Sequence, residues 1–136
     1  MAAKNRLYPH LSAQEIGIWE RFLASDNNKF EHYDYDVRVG TPTTVPEGIP
    51  KNIKEDAITL SLKRIDAVGW LMGKPTCIEI KTYAGFKALG QSLGYPILFA
   101  QQRNLGELPD TLIVTNQLLS DMAGIYNLVG VNYIEI

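Results

Sequence analysis

The chain has 136 residues, 46% of them hydrophobic and 21% charged, which suits one globular domain with a buried core. No apolar run approaches the roughly 18 residues of a membrane-spanning helix, which argues against a membrane protein. The formal net charge of −2 argues against a dedicated nucleic-acid binder, because these are usually basic. Any contact with DNA must then come from local lysines and arginines, from a metal, or from an oligomer.

The N-terminal residues and the cysteine content predict the cellular compartment. Met1–Arg6 lacks the apolar stretch of a secretory signal. Cys77 is the only cysteine, so an internal disulfide is excluded and a reducing compartment is expected. We therefore expect a cytoplasmic location, with Cys77 as a small buried strand residue.

The N-terminal part of the chain predicts a helix. Ser12 and Glu15 fit a capping box, in which each side chain bonds the backbone of the other residue. Apolar residues then recur on one helical face up to about Asn27-Asn28. These residues are Ile16, Trp19, Phe22 and Leu23.

Residues 30–40 alternate in the manner of a half-buried strand. One predicted face carries Tyr33, Tyr35, Val37 and Val39, and the other carries Asp34, Asp36 and Arg38. The two tyrosines are able to stack on bases, but packing within a sheet is the favoured interpretation. Residues 41–52 hold three prolines and should form a long loop of the kind that is often functional. Residues 53–62 fit both periodicities, and we favour a short helix leading into a strand at about Lys63.

A hairpin in the middle of the chain carries three charged residues. Its apolar strands are joined by the turn Met72-Gly73-Lys74-Pro75. Asp66 lies on the first strand, while Glu79 and Lys81 lie on the second and point the same way, opposite to Ile78 and Ile80. Charges within apolar strands are costly to bury unless they are paired or bind a metal.

The C-terminal half predicts alternating helices and strands. A helix from Ala84 to about Arg103 should break or kink at Pro96, and Gly90 and Gly94 suggest close packing of that helix against a neighbour. A strand at residues 111–115, a helix at 118–129 closed by Gly130 and a strand at 131–136 follow. The predicted fold is α/β, a mixed central β-sheet flanked by helices on both faces.

The three charges predict a metal site. Two neighbouring carboxylates repel each other, and Lys81 supplies only one positive charge. Ligation by oxygen alone points to Mg²⁺ or Mn²⁺, and such a site suits phosphodiester hydrolysis, with Lys81 orienting or deprotonating the attacking water. The alternative is a buried Asp–Lys–Glu salt-bridge network that joins the strands. His10 and His32 are isolated in the sequence and are interpreted as surface residues.

The pattern Asp66, Glu79-Ile80-Lys81 and Gln91-Ser92-Leu93-Gly94-Tyr95 resembles the PD-(D/E)XK nuclease superfamily. The helical element is similar to the Gln-x-x-x-Tyr motif of its helicase-associated exonuclease branch. The resemblance spans residues 12–136, although Ile65 stands where the name-giving motif has proline. It implies a single nuclease-like domain over residues 1–136 with a restriction-endonuclease-like αβββαβ core.

The resemblance also implies roles for individual residues. Asp66, Glu79 and the Ile80 carbonyl would bind the metal, and Lys81 would serve the nucleophile. Gln91 and Tyr95, one helical turn apart, would position the DNA strand or the Lys and Glu side chains. Some members add an acid from the first helix, a part for which this chain offers Glu15 or Glu20.

These observations leave competing functions. The leading one is a Mg²⁺-dependent nuclease that contacts DNA mainly through its backbone. Small stand-alone versions of the fold resemble tailed-phage proteins, so the alternative is a structural virion protein, in a phage neck or head-completion complex, with or without activity. It would then act as a homo-oligomer or with other neck proteins, in the host cytoplasm or the virion. A third hypothesis is nucleic-acid binding without catalysis.

Overall fold

The computed structural model describes residues 8–136, so the Met1–Arg6 segment lies outside the described residues. Helices and strands alternate along the described part. In chain order they are α1 (Ala13–Leu23), β1 (His32–Val39), α2 (Lys51–Ser61), β2 (Lys63–Leu71), β3 (Lys74–Ala84), α3 (Phe86–Arg103), β4 (Asp110–Leu118), α4 (Met122–Val129) and β5 (Asn132–Glu135). None of the helices within residues 8–136 is long and apolar enough to span a lipid bilayer.

All five strands form one mixed sheet in the order β1-β2-β3-β4-β5. The first three strands are antiparallel neighbours, and β3, β4 and β5 are parallel, with β4 and β5 each reached through a helix. Helix α1 packs against one face of the sheet, whereas α3 and α4 contribute to the clusters on the other. The predicted α/β class is confirmed, with α2 inserted between the first two strands.

The start of α1 is fixed by its sequence. Ser12 Oγ accepts the Glu15 N–H, and Glu15 Oε1 accepts the Ser12 N–H at 2.9 Å, so the predicted capping box is confirmed. The helix ends at Leu23, several residues before the expected end, because Ser25 and Asn28 bond the last carbonyls. Its apolar face is buried against the sheet, with Trp19 fully enclosed.

The alternation along β1 predicted that its two tyrosines and two valines share one face of the sheet, and this prediction is wrong. Tyr33 and Tyr35 pack with α1, but Val37 and Val39 join the cluster that contains α3. The change occurs at Asp36, whose backbone is left-handed with φ of 52°. Because a left-handed residue rotates the chain that follows it, the pattern of alternate residues no longer predicts the face.

Two expectations for α3 concern its proline and its glycines. The helix runs through Pro96, so the predicted break does not occur; Pro96 is buried, and its packing offsets the one lost backbone bond. A Cβ added at Gly90 or Gly94 would meet nothing within 4 Å, so neither glycine serves close packing against any described residue. By contrast, the Met72-Gly73 turn of the hairpin has φ values of 52° and 75°, as two-residue hairpin turns require.

Candidate functional site

The predicted site lies where the β2–β3 hairpin opens. The paired register runs from Leu71↔Lys74 at the turn to Ala67↔Ile78 and stops there. Just past this point, the Ile80 N–H donates to Asp66 Oδ2 at 2.9 Å, so a carboxylate takes the position of a backbone acceptor. The paired register of the two strands ends here, and residues of both strands line a cleft.

This cleft has a volume of about 440 Å³ and contains five of the predicted site residues. Asp66, Glu79, Lys81, Gln91 and Tyr95 all line it, although they come from two strands and a helix. Ile80 does not line it with its side chain, which is buried on the α1 face. The other lining residues are His10, Glu15, Arg38, Leu60, Leu62, Lys63, Arg64 and Lys87.

The alternation predicted along β3 is confirmed. Ile78 and Ile80 belong to the core under α1, while Glu79 and Lys81 face the cleft. Within residues 8–136, Lys81 forms no ion pair with either carboxylate. The predicted alternative, a salt-bridge network joining the strands, is therefore not formed in the described chain, and Lys81 is half-buried and lines the cleft.

The two carboxylates interact strongly with each other. Burial raises the pKa of Glu79 well above its ordinary value, and the neighbouring Asp66 raises it further, while Lys81 opposes the shift. Burial also raises the pKa of Asp66, against the lowering effect of the Ile80 N–H bond. Raised pKa values on two adjacent carboxyl groups disfavour the ionisation of both together, and a cation bound between them relieves that repulsion.

Several buried polar atoms in the cleft lack hydrogen-bond partners in the described chain, and the two side-chain oxygens among them are acceptors. Glu79 Oε1 and Gln91 Oε1 have no hydrogen-bond donor within the described chain. His10 Nε2 lies 2.9 Å from the Asp66 carbonyl oxygen, so this nitrogen donates to it, and His10 Nδ1 has no partner within residues 8–136. A hydrated cation supplies both positive charge and water donors, and the site therefore fits one.

The donor set fits a hard cation with few protein ligands. No group of three or more His, Cys, Asp or Glu side chains gathers into a metal cage within residues 8–136. Asp66 and Glu79 thus offer two carboxylates, and Mg²⁺ is commonly held by one or two carboxylates with several waters retained. Cys77 is buried nearby, and burial followed by the charge of Glu79 raises its pKa to about 12, so its thiol stays protonated.

The two residues of the helical motif share one face of α3. Gln91 Nε2 donates to Tyr95 OH at 3.4 Å, and both side chains are half-buried at the cleft wall. The pair therefore reaches the same space as the carboxylates, as one-turn spacing on a helix predicted.

The sequence did not identify His10 as a residue of the site, and it did not decide whether Glu15 or Glu20 of the first helix contributes an acid. His10 is half-buried, not a surface residue, and it contacts a residue 56 positions away, for which no local pattern exists. His32 is exposed and stacks on Trp70. Glu15 belongs to the capping box of α1 and also lines the cleft, whereas Glu20 is not among the described residues that line it.

Comparison with known proteins adds information on the fold. No protein-family profile and no curated protein matches this chain. Its structure is similar to the crystal structure of a protein of unknown function, AF1548, with a TM-score of 0.55 and 15% sequence identity. The similarity covers 90% of this chain and 57% of that one, so this chain spans little more than half of its structural neighbour.

Proposed function

We propose that this protein is a Mg²⁺- or Mn²⁺-dependent nuclease that hydrolyses DNA phosphodiester bonds. The observation that carries the proposal is the Asp66–Glu79 carboxylate pair, half-buried at Asp66 and buried at Glu79, in a cleft that Lys81 also lines without an ion pair to either carboxylate in the described chain. Paired acids with raised pKa values beside an unpaired cation are costly for folding, and such groups cluster at functional sites.

The side chains have distinct roles in this proposal. Asp66 and Glu79 hold the ion, which supplies a Lewis acid able to acidify a coordinated water and offset charge on the phosphate. Lys81, free of an ion pair in the described chain, orients or deprotonates the attacking water and steadies the charged phosphate. The Ile80 N–H fixes the Asp66 carboxylate.

Gln91 and Tyr95 position the other groups. Gln91 Nε2 donates to the Tyr95 hydroxyl at 3.4 Å, and the Gln91 amide oxygen is left without a partner in the described chain. This arrangement suits the alignment of a DNA strand or of the Lys81 and Glu79 side chains. We therefore assign them to positioning, which predicts that their loss lowers the rate less than loss of a carboxylate.

We further propose that the chain is a member of the PD-(D/E)XK superfamily. Support comes from the order of its elements and from the placement of the motif residues on β2, β3 and α3. The similarity to AF1548 bears on the fold alone. The Ile80 carbonyl as a third metal ligand belongs to this part of the proposal.

Cleavage of DNA tests the proposed activity. Linear, nicked and single-stranded DNA are incubated with the purified protein and Mg²⁺ or Mn²⁺, and EDTA should abolish cleavage. Asp66→Asn and Lys81→Ala should each lower the rate by roughly 10³-fold, about 4 kcal/mol in barrier. Lys74→Ala, which removes an exposed lysine at the far end of β3, should leave the rate unchanged. Cleavage that persists in Asp66→Asn would refute the proposal.

A second candidate, an assembly role in a phage neck or head-completion complex, has one supporting observation. Phe86, Leu93 and Ile97 form a row of exposed apolar side chains on one side of α3. Such rows commonly mark protein contacts. Light scattering should then give a symmetric oligomer whose assembly survives Asp66→Asn and fails in Leu93→Glu; a monomer at all concentrations would count against self-assembly.

A further inference from the structure

A second charged group, distinct from the carboxylate pair, borders the same cleft. Arg38 on β1 and Arg64 on β2 are direct partners across the two strands, and both line the cleft. Like charges directly opposite each other on neighbouring strands are unfavourable. The arrangement therefore needs a compensating anion.

Asp36 supplies part of that compensation. Asp36 Oδ1 lies 3.5 Å from Arg38 Nε and 3.5 Å from Arg64 Nε, so one carboxylate oxygen bridges both guanidinium groups. Neither contact has the geometry of a hydrogen bond at this oxygen, so both are long and mainly electrostatic. One carboxylate leaves the pair with an excess positive charge.

The backbone of Asp36 also carries a conformational cost. Its φ of 52° lies in the left-handed region, which non-glycine residues adopt rarely. Two long, partly exposed ion pairs do little to offset such a cost. A strained residue that orients two like charges at the edge of a cleft indicates a binding function.

The guanidinium groups keep donors available for a ligand. Asp36 contacts both arginines through Nε, and Arg38 Nη1 reaches the Thr59 carbonyl oxygen only at 3.4 Å. Within residues 8–136 the Arg64 guanidinium forms its ion pair with Asp36 through Nε, and its Nη groups form no hydrogen bond. Guanidinium forks match the oxygens of a phosphate group, and two forks side by side match one phosphate or adjacent ones.

The charge of the whole cleft favours a polyanion over a single ion. Five cationic residues line it against three acidic ones, on a chain with a net charge of −2. The cations are Arg38, Lys63, Arg64, Lys81 and Lys87. Because the arginine pair and the carboxylates line the same cleft, a ligand with repeated phosphates is able to contact both groups at once.

We propose that Arg38 and Arg64, aligned by Asp36, bind a phosphodiester of a polynucleotide strand adjacent to the phosphate that is cleaved. This inference rests on the proposed nuclease function for the position of the cut, and on the arginine geometry alone for the binding. Recognition is of the backbone, so the pair orients the strand without reading its sequence.

Binding measurements without turnover test the arginine pair. Fluorescence anisotropy with labelled single-stranded and duplex oligonucleotides is followed in Ca²⁺ over a range of salt. Arg38→Gln and Arg64→Gln should each weaken binding roughly 10-fold at low salt and lower the salt slope by about one. Arg64→Lys should keep the salt slope yet bind more weakly, because it keeps the charge and loses the fork.

Arg103→Gln is the matched control, since Arg103 stacks on Phe99 at 4.7 Å and does not line the cleft. Its affinity and salt slope should match those of the wild type. Wild-type affinity and slope in folded Arg38→Gln and Arg64→Gln would overturn the inference while leaving the nuclease proposal intact. Arginine-dependent binding with no cleavage in Mg²⁺ or Mn²⁺ would instead refute the nuclease and retain the phosphate site.

Discussion

The apolar core is continuous on one face of the sheet and divided on the other. Under α1 lies one cluster of apolar and aromatic side chains, built around Trp19 and including Ile78 and Ile80. On the other face there are two separate clusters, and β3 contributes Cys77 to one and Ala84 to the other. Glu79 and Lys81 lie between these two residues along the strand.

The difference indicates how the fold tolerates a polar site. We call the face under α1 the closed face. A polar side chain there has a partner within the protein, because Trp19 Nε1 donates to Tyr35 OH at 3.2 Å. Burial raises the pKa of Tyr35 to about 12. On the opposite face, which we call the interrupted face because its apolar core is divided, Glu79 Oε1 has no hydrogen-bond donor in the described chain. We infer that the continuous core stabilises the sheet while the opposite face holds costly charges in place.

The largest effect is expected at the closed face. Trp19→Ala should destabilise the protein by about 3–5 kcal/mol, because a fully buried indole stacked on Phe22 at 5.0 Å leaves a cavity. Chemical denaturation measures the loss. Trp19→Phe, which retains most of the volume and loses the bond to Tyr35, should cost less than half as much. Equal losses in the two variants would show that the hydrogen bond, rather than packing, dominates this face.

An opposite and smaller effect is expected at the interrupted face. The pKa of Glu79 is raised on folding, so its contribution to stability is present below the unfolded pKa and is lost as pH rises through the folded pKa. Glu79→Gln should therefore stabilise the metal-free protein by roughly 1–3 kcal/mol at pH 8 and by less at pH 4.

Thermal unfolding across pH measures this difference, with the exposed Glu55→Gln as control. Mn²⁺ should raise the melting temperature of the wild type more than that of Glu79→Gln, since the ion binds the folded state through this carboxylate. A destabilised Glu79→Gln in metal-free buffer would contradict the idea that the face carries a cost.

The smallest effect is expected on the outer side of α3. Gly90→Ala and Gly94→Ala should each stabilise the protein by about 0.5–1 kcal/mol, because the added methyl meets nothing and alanine favours helix. Gly69→Ala is the contrasting variant, since its Cβ would lie 2.7 Å from the Phe30 ring. Denaturant midpoints should move in opposite directions; destabilisation by Gly94→Ala would indicate a partner on that side.

Prediction from the sequence succeeded where the determining contacts are local. The capping box needs only Ser12 and Glu15, and the hairpin needs one turn and two-residue alternation. It failed where distant contacts decide. Pro96 continues α3 because of its burial, and Asp36 changes the face of β1 in a way that no periodicity contains.

The sequence by itself determined that Asp66, Glu79 and Lys81 would meet, because strand periodicity and a short turn fix their relative positions. Only the tertiary structure decided what surrounds them. His10 reaches the Asp66 backbone from the segment before α1, and Arg38 reaches the cleft from β1. Those approaches depend on how whole elements pack against one another, which is a property of the assembled core and not of any short stretch of chain.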